Sequence, residues 1–218
     1  MNVKFSAKCV AVIAAGAMSM SLAACSGGSM DGSSSSNGSA ANGDTITLGS
    51  ITTNSGTAAA YGEAEVAGFK LAVDEINALG GDIQFELRYE DDVHDPEKAV
   101  NAYNALKAWG MQISLGSVTS QPGIATSALN FEDSIFALTP SASSPDVISG
   151  KDNVYQMCFS DPNQGLASAQ YISEQNLGEK VFIIWKSDDN YSTGIKDKFV
   201  EEAAKLNLNV VGDATFTT

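Results

Sequence analysis

A parallel α/β fold is predicted from residue 44 onward, and three observations predict it. Short apolar or alternating runs recur between longer runs of helical periodicity. The glycine pair Gly80-Gly81 and the Asp95-Pro96 step mark changes from one period to the other. No internal repeat or heptad pattern offers a competing architecture.

The elements follow in order. Residues 45–51 (TITLGSI) read as a strand. Over 62–79, Val66, Phe69, Val73, Ile76 and Leu79 fall at helical spacing, and Gly80-Gly81 stops the helix. Ile83, Phe85, Leu87 and Tyr89 alternate as a second strand. Asp95-Pro96-Glu97 starts a helix, with Asp as cap, Pro in the first turn and an acid at the positive end of the dipole. Ala99, Val100, Tyr103 and Leu106 give that helix its apolar face, and it ends near Gly110.

Strands over 112–115 and 134–138 flank a helix over 122–131. A short strand over 154–157 precedes a helix over 164–175. Residues 181–185 (VFIIW) are apolar throughout, which predicts a central strand covered on both faces. A helix over 194–206 buries Ile195, Phe199, Ala203 and Leu206, and a last strand begins over 209–211.

The first 43 residues do not read as part of this fold. Lys4 and Lys8 precede an apolar run from Cys9 to Ala24 that holds no acid, the pattern of a secretory signal over 1–24. The run closes on Leu22-Ala23-Ala24-Cys25, which resembles the lipobox of bacterial lipoproteins, so Cys25 is the expected lipidation site. The alternative is a soluble secreted protein with a chance cysteine. Residues 25–43 are mostly serine and glycine after the cysteine and read as a flexible tether, with a reach of roughly 23 Å by random-coil scaling. An extracytoplasmic protein leashed to a bilayer is the expectation.

Composition narrows the function classes. With 26 acidic against 12 basic residues and a net charge of −14, nucleic acid and anionic lipid are disfavoured partners. Cys158 is the single cysteine after Cys25, so the mature chain has no intramolecular disulfide, and Cys158 is expected to be a small buried hydrophobe. One histidine, His94, leaves no metal-ligand spacing. Glu90-Asp91-Asp92 reads as a solvated turn, with weak calcium binding as the alternative. A Ser hydrolase needs a G-x-S-x-G elbow, which is absent.

In open parallel sheets, ligands sit beyond the carboxyl ends of the strands. Three hydroxyl-rich loops are expected there: SITTNSGTAAAYG (50–62), GSVTSQPG (116–123) and TPSASSPD (139–146). Hydroxyls and helix N–H groups together suit a carboxylate without any fixed cation. Ser144 reads instead as turn chemistry before Pro145.

LAVDEINALGG, YEDDVHDPEKAV, LTPSASSPD and DPNQG resemble segments of ABC-transporter substrate-binding proteins of the leucine/isoleucine/valine type, which have the type I periplasmic-binding fold. The resemblance runs from Asp44 to the end. It implies two α/β lobes around a cleft, a first over 44–157 and the start of a second over 158–218. It implies a monomer that takes up an amino acid, needs no cofactor, catalyses no reaction and delivers its ligand to an ABC permease. By the same resemblance, Thr119 and Ser120 grip the ligand carboxylate. Ser141 offers a backbone carbonyl to the ammonium, and Ser143 a hydroxyl and N–H, with Ala142 between them in the same grip. Tyr61 walls the side-chain pocket from the first lobe, and Tyr191 closes from the second. Enteric relatives carry a disulfide whose partners align near His94 and Thr119, so here packing or hydrogen bonds must replace it, and His94 is read as structural. The resemblance further implies that the chain is a fragment, with an acidic contribution to the ammonium site beyond Thr218. A sensor that reports the same ligands to a receptor is the other binding role open to this fold.

Overall fold

The computed structural model describes residues 44–217. The expected signal segment, Cys25 and the tether lie outside the described residues.

The described residues form two separate parallel sheets. The first has five strands, β1 (Asp44–Thr52), β2 (Ile83–Asp91), β3 (Ile113–Gly116), β4 (Phe136–Thr139) and β5 (Val154–Gln156), in the order β2-β1-β3-β4-β5. All four pairings are parallel. Three helices connect them: α1 (Ala59–Ala78), α2 (Pro96–Trp109) and α3 (Ser120–Glu132). The second sheet pairs β6 (Lys180–Lys186) with β7 (Asn209–Phe216), beside α4 (Asp161–Glu174) and α5 (Asn190–Lys205).

This strand order decides where a site can form. The chain leaves β1 toward β2 on one side and returns to β3 on the other, so the connections after β1 and β3 diverge and leave a crevice between them.

The core of the first sheet lies between β1 and α2, where Ile51, Ala99, Tyr103 and Leu106 are fully or almost fully buried. Helix α2 begins as its sequence dictates: Asp95 caps it by accepting from Lys98 N–H at 2.8 Å, and Pro96 is its first residue. Gly110 ends it in the left-handed region that favours glycine. The Tyr103 hydroxyl donates to Asp133 Oδ2 at 2.6 Å, tying α2 to the end of α3. Burial and this acceptor both push the phenol pKa up. Tyr103→Phe is therefore expected to lower the urea midpoint with an unchanged slope, the signature of lost stability without a change in the surface exposed.

Two expectations need correction. Helix α1 buries Val66 and half-buries Phe69 and Val73, but Ile76 and Leu79 are exposed. Its end is held by hydrogen bonds rather than by apolar cover. Asn77 exchanges two 2.8 Å bonds with the backbone of Phe85, which also occupies polar groups on the outer edge of β2. Nor is β6 covered on both faces. Val181 and Ile183 pack into the core of Ala169, Phe199 and Ala203, while Phe182 and Ile184 are 57% and 72% exposed. Among the described residues this sheet has two strands and helices against one face, so the apolar run divides by the strand period of two.

Candidate functional site

Four helices begin two to four residues earlier than hydrophobic periodicity places them. α1 starts at Ala59, α3 at Ser120, α4 at Asp161 and α5 at Asn190. Tyr61, Ser120 and Tyr191 therefore sit in first turns of helices, held by regular backbone, and Thr119 immediately precedes α3.

The starts of α1, α3 and α5 and the loop after β4 line a cleft of about 400 Å³ at the carboxyl edge of the first sheet. Ala58 and Tyr61 enter from the start of α1, Val118, Thr119 and Ser120 from the start of α3, and Ser141 and Ser143 from the loop after β4. Asp189 and Tyr191 come from the start of α5, across the cleft from the first sheet's loops. Of the seven residues expected to touch ligand, the structure brings Tyr61, Thr119, Ser120, Ser141, Ser143 and Tyr191 to this one cleft.

Ala142 is the exception. It is fully buried, packed with Ala137, Val147 and Val154. Its N–H donates to Thr139 Oγ1 at 2.9 Å and its carbonyl accepts from Gln156 Nε2. Both backbone groups are committed to the protein, so Ala142 anchors the loop from below and does not face the cleft.

The first hydroxyl-rich loop also departs from expectation. Thr53 Oγ1 donates to Asp92 Oδ1 at 2.6 Å, and Ser55 Oγ to Asp91 Oδ2 at 2.6 Å. β1 and β2 are neighbours, so the hydroxyls after β1 meet the acids at the end of β2. Burial works against ionisation of Asp91, but the Ser55 hydroxyl and the amides of Val93 and Asn54 outweigh it and hold its carboxyl below the usual range. The acidic turn is spent on this cross-link. Ser144 behaves as read: its Oγ accepts from Asp146 N–H at the start of a short 3-10 turn.

Sequence reasoning missed several residues. His94, far along the chain, lines the cleft, and its Nδ1 lies 2.9 Å from Thr119 Oγ1. This polar pair stands where the resemblance implies a disulfide in enteric relatives. It also leaves Thr119, the residue before α3, without a side-chain bond to its own helix. The Ser120 hydroxyl accepts from Ser144 N–H, and the Ser141 hydroxyl is bonded to Val118 O and Glu65. Neither serine is paired with the histidine, as a nucleophile would need to be. Cys158 is half-buried and lines the cleft rather than filling a core, and burial pushes its thiol pKa up, toward the neutral form.

Asp161 is the least expected. It is the first residue of α4, fully buried, and its N–H donates to Ser143 O at 3.1 Å. Neither carboxylate oxygen has a hydrogen-bond partner of normal geometry. Burial pushes its pKa up, the nearby Ser143 hydroxyl offsets part of this, and Asp189 adds to it. Asp189 is itself 9% exposed, caps α5 by accepting from Ser192 N–H at 3.0 Å, and lines the cleft. The Asp-Pro of DPNQG announces a helix start. That the acid is left uncompensated beside a cleft residue is visible only in three dimensions.

The arrangement is chemically mixed. Hydroxyls, the start of α3 and the Asp189 carboxylate line the cleft together with the aromatic surface of Tyr61, Phe159 and Tyr191, and Asp161 is buried near Asp189. That set suits a small molecule carrying an anionic group, a cationic group and an apolar part.

Comparison with known proteins agrees with the fold. A family model described as periplasmic binding protein matches residues 45–218. The Leu/Ile/Val-binding protein BraC3 of Rhizobium johnstonii is 34% identical over 170 residues, which are 77% of this chain and 45% of that protein. A Leu/Ile/Val-binding protein homolog of Brucella melitensis is 33% identical over 158 residues, 71% of this chain and 42% of that protein. Among solved structures, the branched-chain amino acid transporter substrate binding protein LivJ of Streptococcus pneumoniae, in complex with isoleucine, superposes with a TM-score of 0.74 at 31% identity. That superposition covers 80% of this chain and 50% of LivJ. The chain spans about half the length of the curated relatives it matches. With the family model matched over the whole described fold, and the type I architecture shared with these relatives, the chain belongs to the periplasmic binding protein family.

Proposed function

We propose that this chain supplies the ligand-gripping part of an extracytoplasmic binding protein, anchored to the membrane through lipid on Cys25, that captures a branched-chain or other small neutral amino acid. It then delivers the ligand as a monomer to the permease of an ABC importer. The segment over 44–157 acts as one lobe and 158–218 begins the other, with the cleft between them. The ligand carboxylate lies against Thr119, Ser120 and the start of α3. The ammonium faces Ser143, the Ser141 carbonyl, Asp161 and Asp189. Tyr61 and Tyr191 cover the side chain. The protein binds and releases its ligand without catalysing a reaction.

The observation that carries this reading is the shared cleft: six positions from four separate elements meet around about 400 Å³, with Asp189 in the same lining and the buried Asp161 near it. A zwitterion needs both sets, because burying either charge unpaired costs several kcal/mol. The names of the relatives, Leu/Ile/Val-binding protein and an isoleucine complex, point to the same ligand class.

Titration calorimetry of the full-length protein with a panel of amino acids tests it. Saturable binding of isoleucine, leucine or valine is expected, and no heat or thermal stabilisation with any amino acid would sink the reading. Ser143→Ala is expected to weaken binding by about 1–3 kcal/mol, the range for a hydrogen bond to a charged group.

A further inference from the structure

The Ser141 hydroxyl poses a problem of proton count. It owns one hydrogen, yet it lies 2.6 Å from Val118 O and is also hydrogen-bonded to Glu65 Oε1. A backbone carbonyl only accepts, and an ionised carboxylate only accepts. With Glu65 ionised, two acceptors would press on one hydrogen, and one of the two contacts would be bare oxygen against oxygen. Of the three groups, only the Glu65 carboxyl has a titratable proton to add.

The surroundings agree. Glu65 Oε2 is buried without a hydrogen-bond partner, a poor setting for a full negative charge. The titratable groups bearing on Glu65 are Asp92, from the turn after β2, and Cys158, after β5; neither is a cation. Asp92 already accepts from Thr53 Oγ1 and His94 N–H. Burial pushes the Glu65 carboxyl above the usual range, the Ser141 hydroxyl pulls the other way, and Asp92 adds to the rise.

We propose that Glu65 stands at neutral pH as a neutral carboxylic acid that donates its proton to Ser141 Oγ, making it a positioning residue for the zwitterion cleft. Ser141 then passes its own hydrogen to Val118 O. The relay staples three elements: α1, the loop after β4 that carries Ser143, and the segment after β3 that leads into Thr119 and Ser120. Glu65 lies four residues after Tyr61, so the helix face that carries the aromatic wall also carries the staple. Above the carboxyl's folded pKa the donated proton is gone, and Ser141 must abandon one acceptor. The two gripping loops then lose their fixed spacing, and affinity falls as pH rises. This inference rests on the zwitterion reading of the cleft.

Two measurements on the full-length protein test it, and Glu65→Gln serves both. Carbon-13 NMR of side-chain carboxyls, with the Glu65 signal identified by its loss in Glu65→Gln, is expected to show a protonated carboxyl at pH 7. Affinity for L-isoleucine is expected to fall about tenfold between about pH 6 and about pH 9 in the wild type. Glu65→Gln, whose amide donates at every pH, is expected to keep the low-pH affinity within about threefold and to lose that pH dependence. Glu65→Leu, with no donor, is expected to bind about tenfold more weakly across the range. A Glu65 carboxyl that is ionised at pH 7 overturns the inference, whether or not isoleucine binds. Matching pH profiles in the wild type and Glu65→Gln overturn the positioning role. A protonated Glu65 in a protein that binds no amino acid overturns the zwitterion reading, and the positioning role with it.

Discussion

Gly165→Leu is expected to unfold the second sheet and its helices while leaving the first sheet intact. α4 and α5 approach so closely at this point that a Cβ on residue 165 would lie 2.2 Å from the Ile195 carbonyl oxygen and 2.9 Å from Phe199 N. Those atoms are helix backbone and cannot rotate aside. Ala169, one turn further along α4, is fully buried and packs with Phe199 and Ala203 of α5, so α4 presents small residues to this seam at both turns. Any side chain at 165 must push the helices apart and open that seam. Overpacking costs about 1–3 kcal/mol in a large core and more where little else resists it, and about 3 kcal/mol or more is expected here. Hydrogen exchange should report it as lost protection in β6 and β7, with β1 and β3 unchanged. Asp189 and Tyr191 ride on α5, so amino acid binding should fall with it. Gly68→Ala is the control. It also lies within a helix, α1, but its Cβ would meet nothing within 4 Å, and it is expected to stabilise by up to about 1 kcal/mol. If Gly165→Leu leaves stability unchanged or raises it as Gly68→Ala is expected to, helix propensity rather than close approach governs position 165.

The order of elements was legible in the sequence because each carries its own period. The helix α2 was legible to the residue, since Asp95-Pro96 and Gly110 are local signals that need no tertiary partner. Where burial depends on what lies alongside, the sequence was a poorer guide. VFIIW reads as a strand covered on both faces, yet apolar content does not say how many faces find cover. The helix starts were misplaced for a related reason. The first turns of α3, α4 and α5 are polar and show no apolar stripe, and that same polarity is what places them at a cleft.

The candidate site divides along similar lines. Its cleft-facing positions came from recognising segments such as GSVTSQPG and TPSASSPD, a likeness that no periodicity supplies. Ala142 was carried along with its neighbours because adjacency in sequence does not reveal that one residue of a loop points down into the core. His94, Glu65 and Asp161 were out of reach for the opposite reason. They stand 25, 76 and 18 positions from Thr119, Ser141 and Ser143, and only the meeting of strand ends brings them together.

Asp161 is where stability and binding should pull apart most clearly. A fully buried carboxylate with no well-formed hydrogen bond, beside the acid Asp189, opposes folding when ionised. The sign follows from linkage. The folded state holds the Asp161 proton to a higher pH than the unfolded chain does, where the group titrates near its ordinary value of 3.8. Stability from this group is therefore greatest at low pH and is lost as pH rises from that value through the folded pKa. Asp161→Asn removes the charge while nearly preserving shape. The unliganded variant is expected to have a higher Tm than the wild type at neutral pH, and that gap should narrow as the solution is acidified toward pH 4. Binding should move the other way. If the ammonium of the ligand is the missing partner, losing the acid costs about 2–5 kcal/mol, roughly 30-fold or more in affinity for isoleucine. Thermal unfolding with and without isoleucine measures both at once. A variant that is less stable than the wild type and binds normally would make Asp161 a structural acid and leave Asp189 to face the ammonium. One that is more stable and barely binds would mean that the fold tolerates an uncompensated charge because the ligand supplies its counter-ion.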